Sequence, residues 1–210
     1  MIMISFFVLI VQLWGKVVNA LRKRFWHKYA LLYLKVHNVQ YDETMPPHFF
    51  GGGKLWIEKG GNVSLGKDFV CRSSPLYCID CGLKSKIVVK KNATLIIGNF
   101  SGISNTVIQC HKYISIGNYV NIGAGSLIMD SNFHSTDWKQ RIDRKEDVKN
   151  ARVKSVVIGD YVFIGSRSII MKGVSIGEKS MICAGSVVTC DIPPMELWGG
   201  NPAKFIKQLR

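Results

Sequence analysis

The residue best suited to acid–base chemistry in this chain is His134, which has carboxylates close by in the sequence. An imidazole, whose ordinary pKa is about 6.5, removes a proton near neutral pH when a partner holds its second ring nitrogen. Asp130 lies four residues before His134 and Asp137 three residues after it, so both are local candidates for that partner. We favour Asp130. The alternative interpretation is that His134 is an inert buried histidine.

The segment that contains His134 is polar and strongly basic. It includes Trp138 and carries seven Lys and Arg residues between positions 139 and 154. The whole chain has 28 Lys plus Arg against 14 Asp plus Glu, a formal net charge of +14, which attracts anionic ligands or an anionic membrane surface. The alternative to a functional segment is a solvated charged loop with no function.

The elements that position His134 are predicted by a six-residue period of aliphatic residues. One frame of this period holds Ile116, Ile122 and Ile128, and the next six-residue step after Ile128 is His134 itself. The period then stops until Ile158, which predicts an insertion, and repeat proteins bind ligands at such insertions. The main frame is unbroken over six members: Ile158, Ile164, Ile170, Ile176, Ile182 and Val188.

A six-residue period matches neither the 3.6-residue turn of an α-helix nor the alternation of a simple strand. It matches a chain that turns a corner every six residues, with short strands on the faces of a prism and the repeated aliphatic residues on its axis. Glycine follows the aliphatic residue at positions 98, 117, 123, 159, 165 and 177. We expect it there because a corner needs backbone angles that glycine adopts most readily.

Residues 116–128 (IGNYVNIGAGSLI) and 158–194 (IGDYVFIGSRSIIMKGVSIGEKSMICAGSVVTCDIPP) resemble the hexapeptide-repeat acyltransferases, in particular sugar and polysaccharide O-acetyltransferases of the galactoside, maltose and xenobiotic acetyltransferase group. The resemblance covers roughly residues 54–207. It implies an all-β fold, a left-handed parallel β-helix with three hexapeptides per coil. The ending WGGNPAKFIKQLR resembles the usual ending of the family and implies a short C-terminal helix.

In the resembled enzymes a histidine at this loop is the general base, and the resemblance assigns that role to His134, with Asp130 as its orienting group. Asn105 matches by position an asparagine near the acceptor or the acyl oxygen, although it also suits an outward corner of the prism. Trp138 is a candidate to stack on a sugar ring or simply to anchor the loop. Arg141 is a candidate to pair with an acidic sugar or a phosphate of the acceptor.

The resemblance also implies acetyl-CoA as the acyl donor and no metal. It places the coenzyme beside the late coils, at five residues: Gly165, Ser166, Ala184, Gly185 and Thr189. Many relatives have lysine where this chain has Cys190, which removes one phosphate contact, and Lys204 and Lys207 remain as candidates for the nucleotide phosphates. The alternative for the small residues is that prism corners require them with or without a ligand.

Residues 1–14 form an apolar run that, as a helix, reaches about 20 Å, too short for a hydrocarbon core of about 30 Å. No Lys or Arg precedes this run, which disfavours a secretory signal. Residues 15–36 mix basic and aromatic residues, as interfacial amphipathic helices do. We expect residues 1–38 to contact an anionic membrane surface. A helical cap on the prism or on a partner subunit is an alternative that is compatible with this.

Three alternatives to acyl transfer fit the sequence less well: a zinc site, a zinc hydratase and a non-catalytic scaffold. A zinc site lacks ligands, because Cys78 and Cys81 form a single C-x-x-C pair with no second pair, and six sparse cysteines favour a reducing compartment. A zinc hydratase with a similar prism uses three histidines, whereas only His111 and His134 lie in the regular repeat. A non-catalytic scaffold has no use for a histidine at the loop together with late-coil coenzyme residues.

We therefore expect a cytoplasmic acetyl-CoA-dependent O-acetyltransferase, peripheral on the membrane, that modifies a sugar hydroxyl in surface polysaccharide or lipid-linked glycan biosynthesis. The alternative activity is N-acetylation of a nucleotide-linked amino sugar. The family implies a homotrimer, and nothing indicates nucleic acid as a partner. We expect a helical segment over residues 1–50, a β-helix over 51–200 with a loop extruded at about 134–156, and a C-terminal helix over 201–210.

Overall fold

The computed structural model describes residues 2–73 and 84–210. The chain begins with one long helix, α1 (Ile2–Val36), whose 35 residues extend about 52 Å at 1.5 Å per residue. Over the described ranges, no helix combines the length and the apolarity that crossing a bilayer takes.

Three sheets form the rest of the chain, and successive strands pass from one sheet to the next. The first sheet contains β1 (Gln40–Tyr41), β4 (Asn62–Leu65), β7 (Thr94–Ile97), β10 (Tyr113–Ile116), β13 (Val156–Ile158) and β16 (Ser175–Ile176). The second contains β2 (His48–Phe50), β5 (Val70–Arg72), β8 (Gly102–Ser104), β11 (Asn121–Ile122), β14 (Phe163–Ile164), β17 (Met181–Ile182), β19 (Glu196–Gly200) and β20 (Ala203–Gln208). The third contains β3 (Lys54–Ile57), β6 (Lys86–Val89), β9 (Val107–Cys110), β12 (Leu127–Met129), β15 (Ile169–Ile170) and β18 (Val187–Val188).

Strands β1 to β15 each pair in parallel with the strand three positions later, so three strands make one coil of a three-sided prism. The predicted period is confirmed in its core, because the nine aliphatic residues of the two frames are at most 3% exposed. Fully burying such a side chain is worth about 1.5–3 kcal/mol. A single coil cannot bury its own aliphatic residues, so stability is shared along the stack.

The reason expected for glycine at the corners is wrong. None of the six glycines has a positive φ; that angle occurs two residues later in each case, for example at Phe100, Tyr119 and Tyr161, whose rings stack with centroids 5.0 Å apart. A Cβ on Gly159 would lie 2.7 Å from the backbone N of Glu178 in the next coil. Glycine is therefore needed because neighbouring coils approach too closely for a side chain.

The C-terminal half of α1 caps the open end of the prism. Leu34 is fully buried in the core, and the hydroxyl of Tyr33 accepts a hydrogen bond from the backbone N–H of Ile57 at 3.2 Å. The predicted boundary at residue 50 is wrong, because the helix ends at Val36 and β1 and β2 already form part of the first coil. The helical cap on the prism, which the sequence offered as an alternative role for this segment, is therefore present in the structure.

The C-terminal helix predicted over residues 201–210 is replaced by a strand. Gly200, with φ 104°, and Pro202 reverse the chain, and β20 then pairs antiparallel with β19. The rings of Trp198 and Phe205 meet edge to face, with centroids 6.4 Å apart. A hairpin forms here instead of a helix because β20 supplies hydrogen-bond partners for backbone N–H and C=O groups on the free edge of β19.

Candidate active site

The loop that carries His134 leaves the prism at the end of β12, in the third sheet. An antiparallel bridge between Ser131 and Val153 closes its base, and the N–H of Lys154 donates to the carbonyl of Asp130 at 2.9 Å. The loop therefore covers residues 131–153, three residues earlier at each end than the sequence predicted. It contains a 3₁₀ turn at Gln140–Ile142 and a short helix, α2 (Arg144–Lys149).

His134 projects from this loop toward solvent, with 68% of its side chain exposed. Its Nδ1 atom lies 2.6 Å from Oδ2 of Asp147, a residue of α2 whose side chain is only 11% exposed. A carboxylate only accepts hydrogen bonds, so this contact puts a proton on Nδ1. Nε2 is then the ring nitrogen that can accept a proton from another molecule.

The second carboxylate oxygen of Asp147 accepts from the backbone N–H of Ser135 at 2.8 Å. The hydrogen bond from His134, followed by this one, holds the pKa of Asp147 below its ordinary value, with the Arg141 charge adding a smaller effect. Asp147 is therefore ionised at neutral pH. Its position is set by α2, which begins where Asp143 accepts from the backbone N–H groups of Lys145 and Glu146.

The assignment of Asp130 as the orienting group is wrong. Asp130 is fully buried, and its carboxylate accepts hydrogen bonds of 2.7–2.9 Å from three consecutive backbone N–H groups, those of His111, Lys112 and Tyr113. Its side chain thus ties the corner of the previous coil to the end of β12. The second candidate, Asp137, accepts from the N–H of Lys139 at 2.9 Å and stabilises the loop.

Asp147 is the residue that sequence reasoning missed. It stands 13 positions after His134, and only the fold of the loop brings the two together. One signal was available: Asp143 followed by Glu146 and Asp147 is a typical helix start, and a short helix in an extruded loop must pack one face on something.

The two residues proposed for the acceptor occupy different places in the loop. Trp138 is 61% exposed, and Nζ of Lys139 lies 5.9 Å from the centre of its ring. The guanidinium of Arg141 donates to the carbonyl of Ser135 at 2.8 Å, which draws it toward the His134 pair. Both residues are exposed to solvent.

Four of the residues assigned to the coenzyme lie together at the corner between the second and third sheets. A Cβ on Gly165 would lie 2.7 Å from Cα of Ala184 in the next coil, and the N–H of Gly185 donates to the carbonyl of Ser166 at 2.8 Å. Ala184 and Gly185 are exposed, and a Cβ on Gly185 would meet nothing within 4 Å. The corner therefore offers open backbone that a ligand can approach.

Asn105 occupies the same corner in an earlier coil. Its φ is 44°, and the equivalent positions in later coils, Gly125, Arg167 and Gly185, also have positive φ. The carbonyl of Asn105 accepts from the N–H of Gly125 at 3.1 Å, and the residue is 2% exposed. Asn105 thus lies at a corner, but buried and not on its outward side, and any contact with an acceptor is a further role.

The remaining coenzyme candidates are more dispersed. Lys204 is exposed and lies opposite Gly199 on the hairpin, one coil beyond Gly185, whereas Lys207 lies opposite Leu197, farther from the corner. Thr189 follows β18, at the opposite edge of the third sheet. The structure therefore brings the corner and Lys204 together and leaves Thr189 apart.

Comparison with known proteins fits this architecture. A family model described as the hexapeptide repeat of succinyl-transferase matches residues 155–190. A chloramphenicol acetyltransferase of Agrobacterium fabrum is 30% identical in an alignment over 144 residues that covers 56% of this chain and 69% of that protein. Galactoside O-acetyltransferase of Escherichia coli K12 is 44% identical over 113 residues, 53% of this chain and 52% of that enzyme. A solved hexapeptide-repeat acetyltransferase of Vibrio cholerae is 28% identical with a TM-score of 0.53, over 77% of this chain and 74% of that one.

The chain belongs to the hexapeptide-repeat acetyltransferases. Its prism is accordingly the left-handed parallel β-helix of that family, and the protein is an acyltransferase, not a non-catalytic scaffold. In the described part of this acetyltransferase, no three His, Cys, Asp or Glu side chains come together as a metal site. Cys71 is buried, and the C-x-x-C pair of Cys78 and Cys81 lies outside the described residues.

Proposed function

We propose that this acetyltransferase transfers an acetyl group from acetyl-CoA to a sugar hydroxyl of a surface polysaccharide or lipid-linked glycan, with His134 as general base. The observation that carries the proposal is the exposed imidazole of His134, held at Nδ1 by the ionised carboxylate of Asp147. The sugar acceptor is supported by the galactoside O-acetyltransferase among the relatives.

The reaction needs no covalent enzyme intermediate. Nε2 of His134 takes the proton of the acceptor hydroxyl while the hydroxyl oxygen attacks the thioester carbonyl, so that a C–O bond forms. The C–S bond then breaks, and the coenzyme leaves as a thiol after receiving the proton from the imidazolium. Asp147 stabilises the positive ring while the proton is on it and keeps the ring in one tautomer.

The coenzyme belongs at the exposed corner of Ala184 and Gly185. Small residues let the pantetheine arm lie against backbone groups there, and Lys204, one coil beyond, supplies charge for a phosphate of the nucleotide. Lys207 and Thr189 are further candidates, although neither lies at the corner.

A homotrimer would combine the two halves of the site. His134 leaves the prism at one edge of the third sheet, and the coenzyme corner is at the other edge, so one chain holds them a full face apart. A neighbouring prism that presents its corner to this loop would complete the site. Light scattering tests for three chains per particle, and an active monomer would contradict the shared site.

Peripheral membrane contact is the role we assign to residues 1–38, which include α1. Exposed apolar residues recur there at steps of three or four, which places them on one helix face: Trp14, Val18, Leu21, Phe25 and Tyr29. Lys16, Arg24 and Lys28 supply positive charge on the same segment, as binding to anionic lipid requires.

The decisive experiment is an acetyl-transfer assay on the full chain, in which release of the coenzyme thiol is followed with a panel of sugars, nucleotide sugars and glycans. We expect thiol release with an acceptor that carries a free hydroxyl and release slowed about 10²- to 10⁴-fold with the His134→Ala variant. Transfer only to amino sugars would instead favour the N-acetylation alternative.

A further inference from the structure

A cleft of about 730 Å³ lies between α1 and the first two strands of the third sheet, far from His134 along the chain. Its walls are largely aromatic and aliphatic, with Trp26, Tyr29 and Tyr33 from the helix and Leu55 and Val88 from the sheet. Cavities of this size and character bind apolar ligands of moderate size.

Three lysines, Lys54, Lys84 and Lys86, also line the cleft, and none of its lining residues in the ranges 2–73 and 84–210 is acidic. Lys54 and Lys86 are direct register partners on β3 and β6, an arrangement in which like charges destabilise a sheet. Among the described residues, none of the three lies within 4 Å of a carboxylate. An anion bound between them would remove this repulsion.

The cleft also joins the apolar face of α1. Tyr29 lies both in the cleft wall and in the stripe that runs back through Phe25 and Leu21 to Trp14, whose side chain is 68% exposed. If that stripe rests on a membrane, a hydrocarbon chain passes from lipid into the cleft along a continuous apolar path.

We propose that this cleft binds the lipid phosphate that carries the acceptor glycan, with the hydrocarbon chain against the aromatic wall and the phosphate on the lysines. The site itself follows from the lining and the charge. Its use for the acceptor rests on the proposed function, and it makes the substrate a lipid-linked saccharide.

The position of the cleft relative to the loop agrees with this use. Strand β6 lines the cleft and β12 carries the loop of His134, with only β9 between them in the third sheet. At a strand spacing of about 4.8 Å, β6 and β12 are roughly 10 Å apart. A saccharide attached to the phosphate can therefore extend along the outer face of this sheet toward the loop.

The test is calorimetric titration of the full chain with dodecyl phosphate below its micellar concentration, without acetyl-CoA, so that the result does not depend on turnover. We expect one dodecyl phosphate per chain and at least tenfold weaker binding of inorganic phosphate. The double variant Lys54→Glu/Lys86→Glu should weaken dodecyl phosphate binding at least tenfold, or about 1.4 kcal/mol.

A matched control is Lys59→Glu/Lys91→Glu, which makes the same charge change on exposed lysines five positions further along the same two coils. It should change the affinity by less than about twofold. Ala30→Phe, which fills the cleft from the helix side, should abolish binding of dodecyl phosphate and keep the cap folded, as judged by circular dichroism.

Four results would overturn the proposal. Equal binding of inorganic and dodecyl phosphate would mean that the apolar wall is unused, and equal weakening by the control pair would reduce the effect to net charge. Displacement of dodecyl phosphate by phosphatidylglycerol vesicles at equal lipid concentration would assign the cleft to bulk phospholipid instead of a glycan carrier. Failed binding with intact acetyl transfer to a soluble sugar would remove the cleft alone and leave the proposed function standing.

Discussion

The imidazole of His134 and the carboxylate of Asp147 are in contact at 2.6 Å, although 13 positions separate them in the chain. His134 stands at the beginning of the extruded loop and Asp147 on α2 near its end, so the contact fixes the loop internally. Neither residue contributes to the aliphatic core of the prism. The site can therefore be altered without altering the fold of the prism.

Replacing His134 with alanine should cost turnover about 10²- to 10⁴-fold, the usual effect of losing a positioned base. Melting should be nearly unchanged because 68% of the side chain is exposed. Coenzyme affinity should move by less than about threefold, or ~0.6 kcal/mol, because the corner lies at another edge. Steady-state kinetics, thermal melting and coenzyme titration measure the three quantities, with Lys145→Ala on the same loop as control. A variant that stays active but unfolds would make His134 a structural residue.

Asp147→Asn should lower turnover by less than His134→Ala does, because the amide keeps the shape of the carboxylate but not the charge that stabilises the imidazolium. The double variant should be little slower than His134→Ala alone, since the two residues act as one unit. Asp137→Asn is the matched control, because the carboxylate of Asp137 accepts from the backbone N–H of Lys139 and does not contact His134 in the described structure. Additive losses in the double variant would separate Asp147 from the base.

Asp130→Asn should lower the stability of the protein and spare its turnover, the opposite of what is expected for His134→Ala. The carboxylate is buried and accepts from three backbone N–H groups, and an amide leaves at least one of them without a good acceptor. We expect a loss of about 1–3 kcal/mol in the free energy of unfolding. Turnover per folded chain should stay close to that of the wild type. Urea unfolding with activity in native buffer measures both, and a large loss of turnover at full stability would restore Asp130 to the catalytic site.

The stability of the loop should depend on pH through Asp147. Its pKa is lowered in the folded chain, chiefly by the hydrogen bond from His134, so folding favours the ionised form. This stabilisation is fully present above the ordinary aspartate pKa of about 3.9 and is lost as pH falls through the lower folded value. Chemical unfolding of wild type and Asp147→Asn should therefore differ above about pH 4 and converge below it. A difference that grows as the pH falls would contradict the contact.

Deleting residues 2–21 should weaken flotation of the protein with anionic liposomes and leave its melting temperature unchanged. The deletion removes Trp14, Val18 and Leu21, which are exposed, and keeps Tyr33 and Leu34, which cap the prism. Liposomes of neutral lipid are the control, since the basic residues should contribute little there. If both proteins stay in solution, the membrane role is removed and capping remains as the function of α1.

Much of the fold could be predicted because one periodic signal sets it. An aliphatic residue every sixth position has to be buried, and Ile158, Ile164 and Ile170 are buried as that signal requires. The corner glycines were located correctly but for the wrong reason, since the distance between coils is a property of the stack. The C-terminal hairpin was missed because its stability depends on the free edge of β19, which no local pattern reveals.

The candidate site was less predictable. His134 was located by its break in the aliphatic frame, but its partner was sought among neighbours in sequence. Asp130 is near in sequence and engaged elsewhere, whereas Asp147 is distant in sequence and in contact. Side-chain pairing within an irregular loop depends on the path of its backbone, and the composition of residues 131–153 does not determine that path.

The way this loop joins the prism has a consequence for how changes in the loop affect the fold. One regular coil takes the chain from Ile158 to its register partner Ile176, whereas the stretch between the register partners Ile116 and Ile158 is more than twice as long. The additional residues leave the pairing of the strands intact, because Asp130 and Lys154 meet at 2.9 Å where the insertion begins and ends. The loop is thus an insertion that leaves the strands of the prism in register. A change in the length or sequence of the loop can therefore leave the strand pairing and the core of the prism as they are.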